Sequence, residues 1–134
     1  MIQPIKIQVR FSDLDVMGHV NNSVYLSYFE IARVVFFTPL MGVNWDWQKN
    51  GVLIRKNEIE YFSPVLLHQE PEISIYTKSL GSKSFILEYD LHVNEKLCTS
   101  GSSVLVCYDS INNTSINVPD KMRQVLEGLK RNDN

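Results

Sequence analysis

Cysteine is scarce in this chain, with only Cys98 and Cys107 present. Both fall in one predicted strand, nine residues apart. That is roughly 30 Å at about 3.3 Å per residue, too far to bridge within the strand, so both read as small core residues of a reducing compartment. Glycine is also sparse, and none of it forms a Gly-rich phosphate loop. No serine sits in a G-x-S-x-G elbow, which removes the usual serine-hydrolase signature. His19, His68 and His92 are far apart and lack zinc-ligand spacing, so no metal and no cofactor is indicated. Neither sign of charge dominates, at a net −2 spread along the chain. A nucleic-acid partner needs a concentrated basic face, and none is legible. A phosphate-bearing small molecule needs only a few local cations and stays open. No apolar run approaches a membrane span, and Met1 to Lys6 lacks the charged start and apolar stretch of a secretory signal. A cytoplasmic protein without membrane attachment is expected.

What is present suits one folded domain over residues 1–134, with 44% hydrophobic residues to build a core. Ile5, Ile7, Val9 and Phe11 alternate with Lys6, Gln8 and Arg10, predicting a half-buried strand. A polar loop with Gly18 at its turn leads to a predicted helix over Asn22 to Phe37, with Asn21 or Asn22 as N-cap. Tyr25, Tyr28, Phe29, Ala32, Val35 and Phe36 recur at helical steps, while Leu26, Ile31, Val34 and Phe37 make the other faces apolar too. Such a helix is expected to be buried on most sides and to stop at Pro39. Strands follow over Val52 to Phe62, Glu72 to Leu80, Phe85 to Val93 and Leu97 to Tyr108. Turns at Gly81-Ser82, Asn94-Glu95 and Asn112-Asn113 punctuate them, and Pro119 to Lys130 reads as a short terminal helix. Long antiparallel strands joined by short turns around one apolar helix define an α+β domain.

The segment from Phe11 to Asn22 concentrates the chemistry. Asp13, Asp15, His19, Asn21 and Asn22 fall within ten residues, just before a helix N-terminus. Free backbone N–H groups and the positive dipole end there favour developing negative charge, a setting suited to acyl transfer. Asp and Asn at this place are also ordinary turn and cap residues, so spacing alone leaves both readings open.

Asp13-Leu14-Asp15, then Gly18-His19-Val20-Asn21-Asn22, then Tyr25, Glu30, Ala32 and Arg33 resemble the 4-hydroxybenzoyl-CoA thioesterase-like family of hotdog acyl-CoA thioesterases. The Asp-to-helix pattern is also similar to that of plant acyl-ACP thioesterases. The resemblance spans essentially the whole chain and is most specific in the Asp-to-helix block. It implies a hotdog fold, a long antiparallel sheet wrapped around a central helix. It implies Asp15 as catalytic carboxylate, attacking the thioester carbonyl or activating water, and the Asn22 backbone N–H as oxyanion donor. His19 joins these as a catalytic candidate, with Gly18, Val20, Asn21, Tyr25, Lys83 and Ser84 as substrate-binding candidates. The acyl group is expected along the helix at a subunit interface of a homodimer or homotetramer. One departure stands out: the plant-type pattern has Asn two residues after the catalytic Asp, and here that residue is Met17.

Other roles follow from residue chemistry. Asp13 is expected to brace the loop, Glu30 and Arg33 to pair with each other or brace an interface, and Trp45 and Trp47 to pack or to cover the acyl pocket. Three functions remain in competition. The substrate is an acyl-CoA, or it is an acyl group on a carrier protein, or the chain is a hotdog domain that binds acyl groups without turnover.

Overall fold

The computed structural model describes residues 3–131. In chain order the elements are β1 (Ile5–Lys6), α1 (Tyr25–Met41), β2 (Gly51–Tyr61), β3 (Glu72–Leu80), β4 (Ser84–Val93), β5 (Lys96–Asp109), β6 (Thr114–Ser115) and α2 (Asp120–Glu127). Short 3-10 turns, Phe11–Asp13 and Asn22–Val24, precede α1. The strands form one antiparallel sheet in the order β1-β3-β4-β5-β2, with β6 added to β5. This sheet around one long helix is the expected hotdog arrangement.

β4 shows why the sheet has two distinct faces. Phe85, Leu87, Tyr89, Leu91 and Val93 are buried, and the residues between them are half-buried. Period-two alternation in sequence becomes one face toward the helix and one face outward. The tight turn between β4 and β5 sets both Asn94 (φ 49°) and Glu95 (φ 69°) in the left-handed region, as a two-residue hairpin requires. β2 alternates poorly for a local reason: its register with β5 shifts between Ile54 and Lys56, where a bulge at Arg55 exchanges the two faces.

The helix lies close over the sheet at Gly101 of β5. A Cβ built there would stand 2.8 Å from the Phe29 ring, so a side chain would push the helix away. Phe29 in turn stacks on Tyr89, with centroids 4.4 Å apart and planes 8° from parallel. Cys98 and Cys107 are buried and unpaired, and burial pushes the Cys107 thiol up to about 11.

Several expectations need correction. The strand expected over Ile5 to Phe11 keeps its burial alternation at Ile7 and Val9, but only Ile5 and Lys6 pair with β3. Phe11 belongs to a 3-10 turn and is exposed, because the chain leaves the sheet to build the Asp13 loop. Pro39 does not stop α1. It stands two residues before the helix end, so the missing N–H costs one bond in a terminal turn. The helix ends at Gly42, whose φ of 92° turns the chain while its N–H bonds the Thr38 carbonyl. The terminal helix is shorter than expected, Asp120–Glu127.

The largest correction concerns burial of α1. Tyr25, Tyr28, Phe29, Ala32 and Met41 are buried, but Leu26, Ile31, Val34, Val35 and Leu40 are exposed. A single sheet covers only one side of a helix. Residues Asn22–Met41, with mean hydropathy 1.3, are also long and apolar enough to cross a bilayer, contrary to expectation. Here the same segment packs across the sheet, with Glu30 and Arg33 near its middle.

Candidate active site

The loop before α1 is a tight hairpin. Leu14 bridges Val20, the Asp15 N–H donates to the His19 carbonyl at 2.7 Å, and the Gly18 N–H donates back to the Asp15 carbonyl at 3.1 Å. Gly18 closes the turn at φ 78°, a conformation that favours glycine. The hairpin is anchored to the segment after β2 through a His19–Leu66 bridge and a Val20 N–H to Val65 carbonyl bond of 2.8 Å. Val20 is thus a buried anchor.

The two aspartates meet different surroundings. Asp13 is 2% exposed. Its carboxylate accepts from the Tyr28 hydroxyl (2.7 Å), the Arg10 N–H (2.9 Å) and the Arg10 guanidinium (3.1 Å). Burial alone would raise this carboxyl, but the three donors outweigh it and hold the pKa below its ordinary value of 3.8. The Tyr28 phenol moves up, first through burial and then through its bond to Asp13. Asp13 is therefore a saturated brace between loop and helix.

Asp15 is half-buried. Its Oδ1 accepts from the Met17 N–H at 2.9 Å and the His19 N–H at 3.2 Å. Among the described residues, Oδ2 has no hydrogen-bond partner. One oxygen is held by the hairpin backbone and the other is left open. The Met17 position thus serves through its main chain, and its side chain is exposed.

Asp15, His19, Asn22, Tyr25, Tyr61 and Phe62 line a cleft of about 220 Å³. Asn21 caps the helix entry, its Oδ1 accepting from the Ser23 N–H at 3.1 Å, and its own N–H bonds the Asp13 carbonyl. The Asn22 N–H carries no hydrogen bond among those of the described residues. Tyr25 is 2% exposed, and burial raises its phenol. The His19 imidazole makes no hydrogen bond among the described residues. A carboxylate with one open oxygen, beside a free N–H at the start of a helix, can deliver a nucleophile and hold an oxyanion in one cleft.

Tyr61 is the cleft neighbour that sequence reasoning missed. Its hydroxyl donates to the Asn22 carbonyl at 2.9 Å, and its ring stands edge-on to Tyr25 at 5.1 Å. It fixes the peptide that follows the candidate oxyanion donor. The only sequence signal was an aromatic residue at a strand end.

Lys83 and Ser84 are not brought to this cleft within one chain. Ser84 opens β4 and aligns with Val106, whereas Tyr61 aligns with Thr99 and Leu91 at the other end of the sheet. Val106 and Thr99 are seven residues apart on β5, roughly 23 Å at about 3.3 Å per residue. Glu30 and Arg33 do not pair either, and Arg33 donates to the Tyr89 hydroxyl at 3.0 Å instead. The Trp45 indole donates to the Asn50 carbonyl, while Trp47 lines a second, larger cavity beside α1. Among the described residues, no three His, Cys, Asp or Glu side chains cluster as metal ligands.

Fold and site together define a hotdog protein with a half-buried, partly open carboxylate at the helix entry. Residues 9–126 match the model of the thioesterase-like superfamily. The chain belongs to that superfamily and is a thioester hydrolase. It is 28% identical to the long-chain acyl-CoA thioesterase FadM of Escherichia coli, over 92% of this chain and 96% of that one. It is also 28% identical to protein YsmA of Bacillus subtilis, over 90% of this chain and 82% of that one. Among solved structures, a Thermus thermophilus thioesterase complexed with coenzyme A and Zn superposes with a TM-score of 0.82 at 30% identity, covering 96% of this chain and 93% of that one.

Proposed function

We propose that this chain hydrolyses acyl-CoA thioesters with Asp15 as the catalytic carboxylate and the Asn22 N–H as oxyanion donor. The observation that carries the reading is the open Asp15 Oδ2 sharing a cleft with Asn22. Attack by Oδ2 on the thioester carbonyl would expel the thiolate and leave an anhydride for water to cleave. Alternatively, Oδ2 takes a proton from water as the water attacks. In both routes negative charge grows on the carbonyl oxygen, and an N–H at a helix start stabilises it. Gly18 shapes the loop, Asn21 caps the helix entry, and Val20 and Tyr25 form part of the cleft wall. His19 borders the cleft and is the further candidate for contact with substrate. The coenzyme in the Thermus relative and the acyl-CoA specificity of FadM support CoA as the carrier.

The same proposal includes a homodimer. β2 is an eleven-residue edge strand whose outer side is unpaired among the described residues, and α1 exposes Leu26, Ile31, Val34, Val35 and Leu40. Exposed edges and apolar patches of this kind mark association. A two-fold axis through the middle of β2 exchanges its ends, so the Tyr61 end and Asp15 cleft of one copy meet the Gly51 end of the other. Lys83 and Ser84 would then reach the cleft only from the second copy. Two unpaired buried cysteines fit a cytoplasmic setting.

Thiol release from a panel of acyl-CoAs tests the reaction. Turnover that is lost in Asp15→Asn supports the assignment, and turnover that persists in that variant overturns it. Single turnover in oxygen-18 water tests the anhydride route, since water that opens the anhydride at the Asp15 carboxyl carbon leaves its label in Asp15. Sedimentation showing only a 15.5 kDa species overturns the dimer.

A further inference from the structure

β2 closes one end of the sheet, and its free edge carries a definite pattern. The Phe62 N–H donates to the Cys98 carbonyl at 2.8 Å, and the Glu58 carbonyl oxygen lies 3.0 Å from where a Cβ on Gly101 would stand. Glu58, Glu60 and Phe62 therefore turn their backbone groups toward β5. Backbone direction alternates along a strand, so Asn57, Ile59 and Tyr61 turn theirs to the free edge. The bulge at Arg55 reverses the alternation, which turns Ile54 and Val52 to the free edge beyond it. The side chains are self-complementary about one point on this edge. Lys56 and Glu58 lie on the outer face of the sheet, exposed and 2.7 Å apart. Between them Asn57 faces inward, and its Oδ1 accepts from the buried Ser103 hydroxyl at 2.6 Å. Its amide nitrogen donates to nothing among the described residues, which leaves two N–H donors at the open edge.

We propose that β2 pairs antiparallel with β2 of a second copy in the register that puts Asn57 on the two-fold axis, which sets Val52 of the second copy beside Tyr61 at the Asp15 cleft. The inference deepens the homodimer reading and rests on it. With the axis at Asn57, each Lys56 stands opposite the other copy's Glu58, and two ion pairs form across the seam. An axis one residue earlier opposes Lys56 to Lys56, and one residue later opposes Glu58 to Glu58. An axis at Ile59 opposes Glu58 to Glu60. Like charges directly opposite are destabilising, so these neighbouring registers are disfavoured. On the axis the two Asn57 side chains face each other, and the free amide N–H groups of each meet the Oδ1 of the other. Past Lys56 the bulge shifts the pairing by one residue, so Ile59 meets Ile54 and Tyr61 meets Val52. All four turn their backbone groups to the seam, so its hydrogen bonds and its side-chain faces agree. Tyr61 is exposed within one chain and holds the Asn22 carbonyl, so the second copy packs against the residue that braces the helix entry.

Cysteine cross-linking of the full chain under mild oxidation reads the register. Asn57→Cys keeps both charges and should join two copies through itself, because Cα atoms of a hydrogen-bonded antiparallel pair are about 5.5 Å apart, within disulfide range. Lys56→Cys alone and Glu58→Cys alone should join at least about tenfold more slowly, since their sulfurs stand two residues out of register, whereas a mixture of the two should join readily. Val52→Cys mixed with Tyr61→Cys should also join, and Leu53→Cys mixed with Tyr61→Cys should not. Cys98 and Cys107 are buried and unpaired, so the native chain is the blank. Charge reversal gives a second measurement without cysteine: Lys56→Glu should weaken the dimer about tenfold by sedimentation, and adding Glu58→Lys to it should restore the dimer. Faster joining of Lys56→Cys or Glu58→Cys alone than of Asn57→Cys overturns the proposal, as does a doubly reversed chain that stays weak. Joining of Leu53→Cys rather than Val52→Cys to Tyr61→Cys overturns the contact at the cleft. A native chain that sediments only as a monomer overturns the homodimer reading with it. Since no turnover is measured, each of these results stays separable from a failure of the Asp15 assignment.

Discussion

Asp13 and Asp15 stand two residues apart, yet the fold gives them opposite conditions. Asp13 is enclosed, and Tyr28 and Arg10 satisfy both of its oxygens. Asp15 is half-open and satisfied on one oxygen, by backbone donors of its own hairpin. A carboxylate enclosed by donors is stabilised as an anion and is a poor reactant. One that is oriented but left with a free oxygen can attack or take a proton. The structural role of Asp13 and the reactive role proposed for Asp15 differ in which oxygens find donors, not in charge.

The contrast breaks most sharply at Asp15. Asp15→Asn keeps the size and the acceptor for the Met17 and His19 N–H groups, so the fold should survive. Turnover should fall by about 10²- to 10⁴-fold, the usual range for a lost general base. Single-turnover hydrolysis of a cleaved acyl-CoA measures it, and a rate near that of the native protein removes Asp15 from the chemistry.

Asp13→Ala should show the reverse balance. It leaves the buried Tyr28 hydroxyl without its acceptor and removes the Arg10 contacts, a loss of about 2–3 kcal/mol. Urea unfolding reads this directly. A rate loss exceeding that of Asp15→Asn, in folded protein, would mean that the two roles have been exchanged.

Acid sharpens the same point. The folded Asp13 carboxyl titrates below its ordinary 3.8, so its stabilisation is complete above that value and is lost as pH falls through the folded pKa. Melting temperature followed from about pH 5 down to about pH 2 should fall more steeply for the native chain than for Asp13→Asn. Parallel curves would show that the brace carries no linked proton.

Three smaller changes probe the hairpin and the helix entry. Gly18→Ala meets no neighbour within 4 Å, so its cost is the left-handed backbone alone, about 1 kcal/mol. A modest fall in turnover should accompany it as Asp15 loses its fixed orientation. Asn22→Ala should be smaller still, within about 0.5 kcal/mol and with most turnover kept, because Asn21 provides the cap. Asn21→Ala should cost roughly 1 kcal/mol by the same argument. Equal losses in the two alanine variants, measured by thermal unfolding, would show that capping is shared.

Much of the fold was legible because its signals are local. Alternation from Phe85 to Val93 and the Asn94-Glu95 turn place β4 and β5 without reference to the rest of the chain. Signals that depend on distant partners were read less well. Ile5 to Phe11 alternates like a long strand, but only two of its residues find a ladder. Pro39 looked like a stop because the cost of a proline depends on how many turns follow it. An apolar helix looked buried because sequence gives hydrophobicity on every face and not the number of surfaces available to cover it.

The sequence by itself determined the run of elements and the tight Asp15–Gly18–His19 turn. It also put a helix start beside two carboxylates, since each depends on residues within a few positions. Only the tertiary structure decided that Tyr28 encloses Asp13 and that Tyr61 braces Asn22 from thirty-nine residues away. It also decided that Lys83 and Ser84 stand at the far end of the sheet from Asp15. Those outcomes follow from strand register and from helix packing at Gly101, and both are set by many weak long-range contacts that no short stretch of sequence encodes.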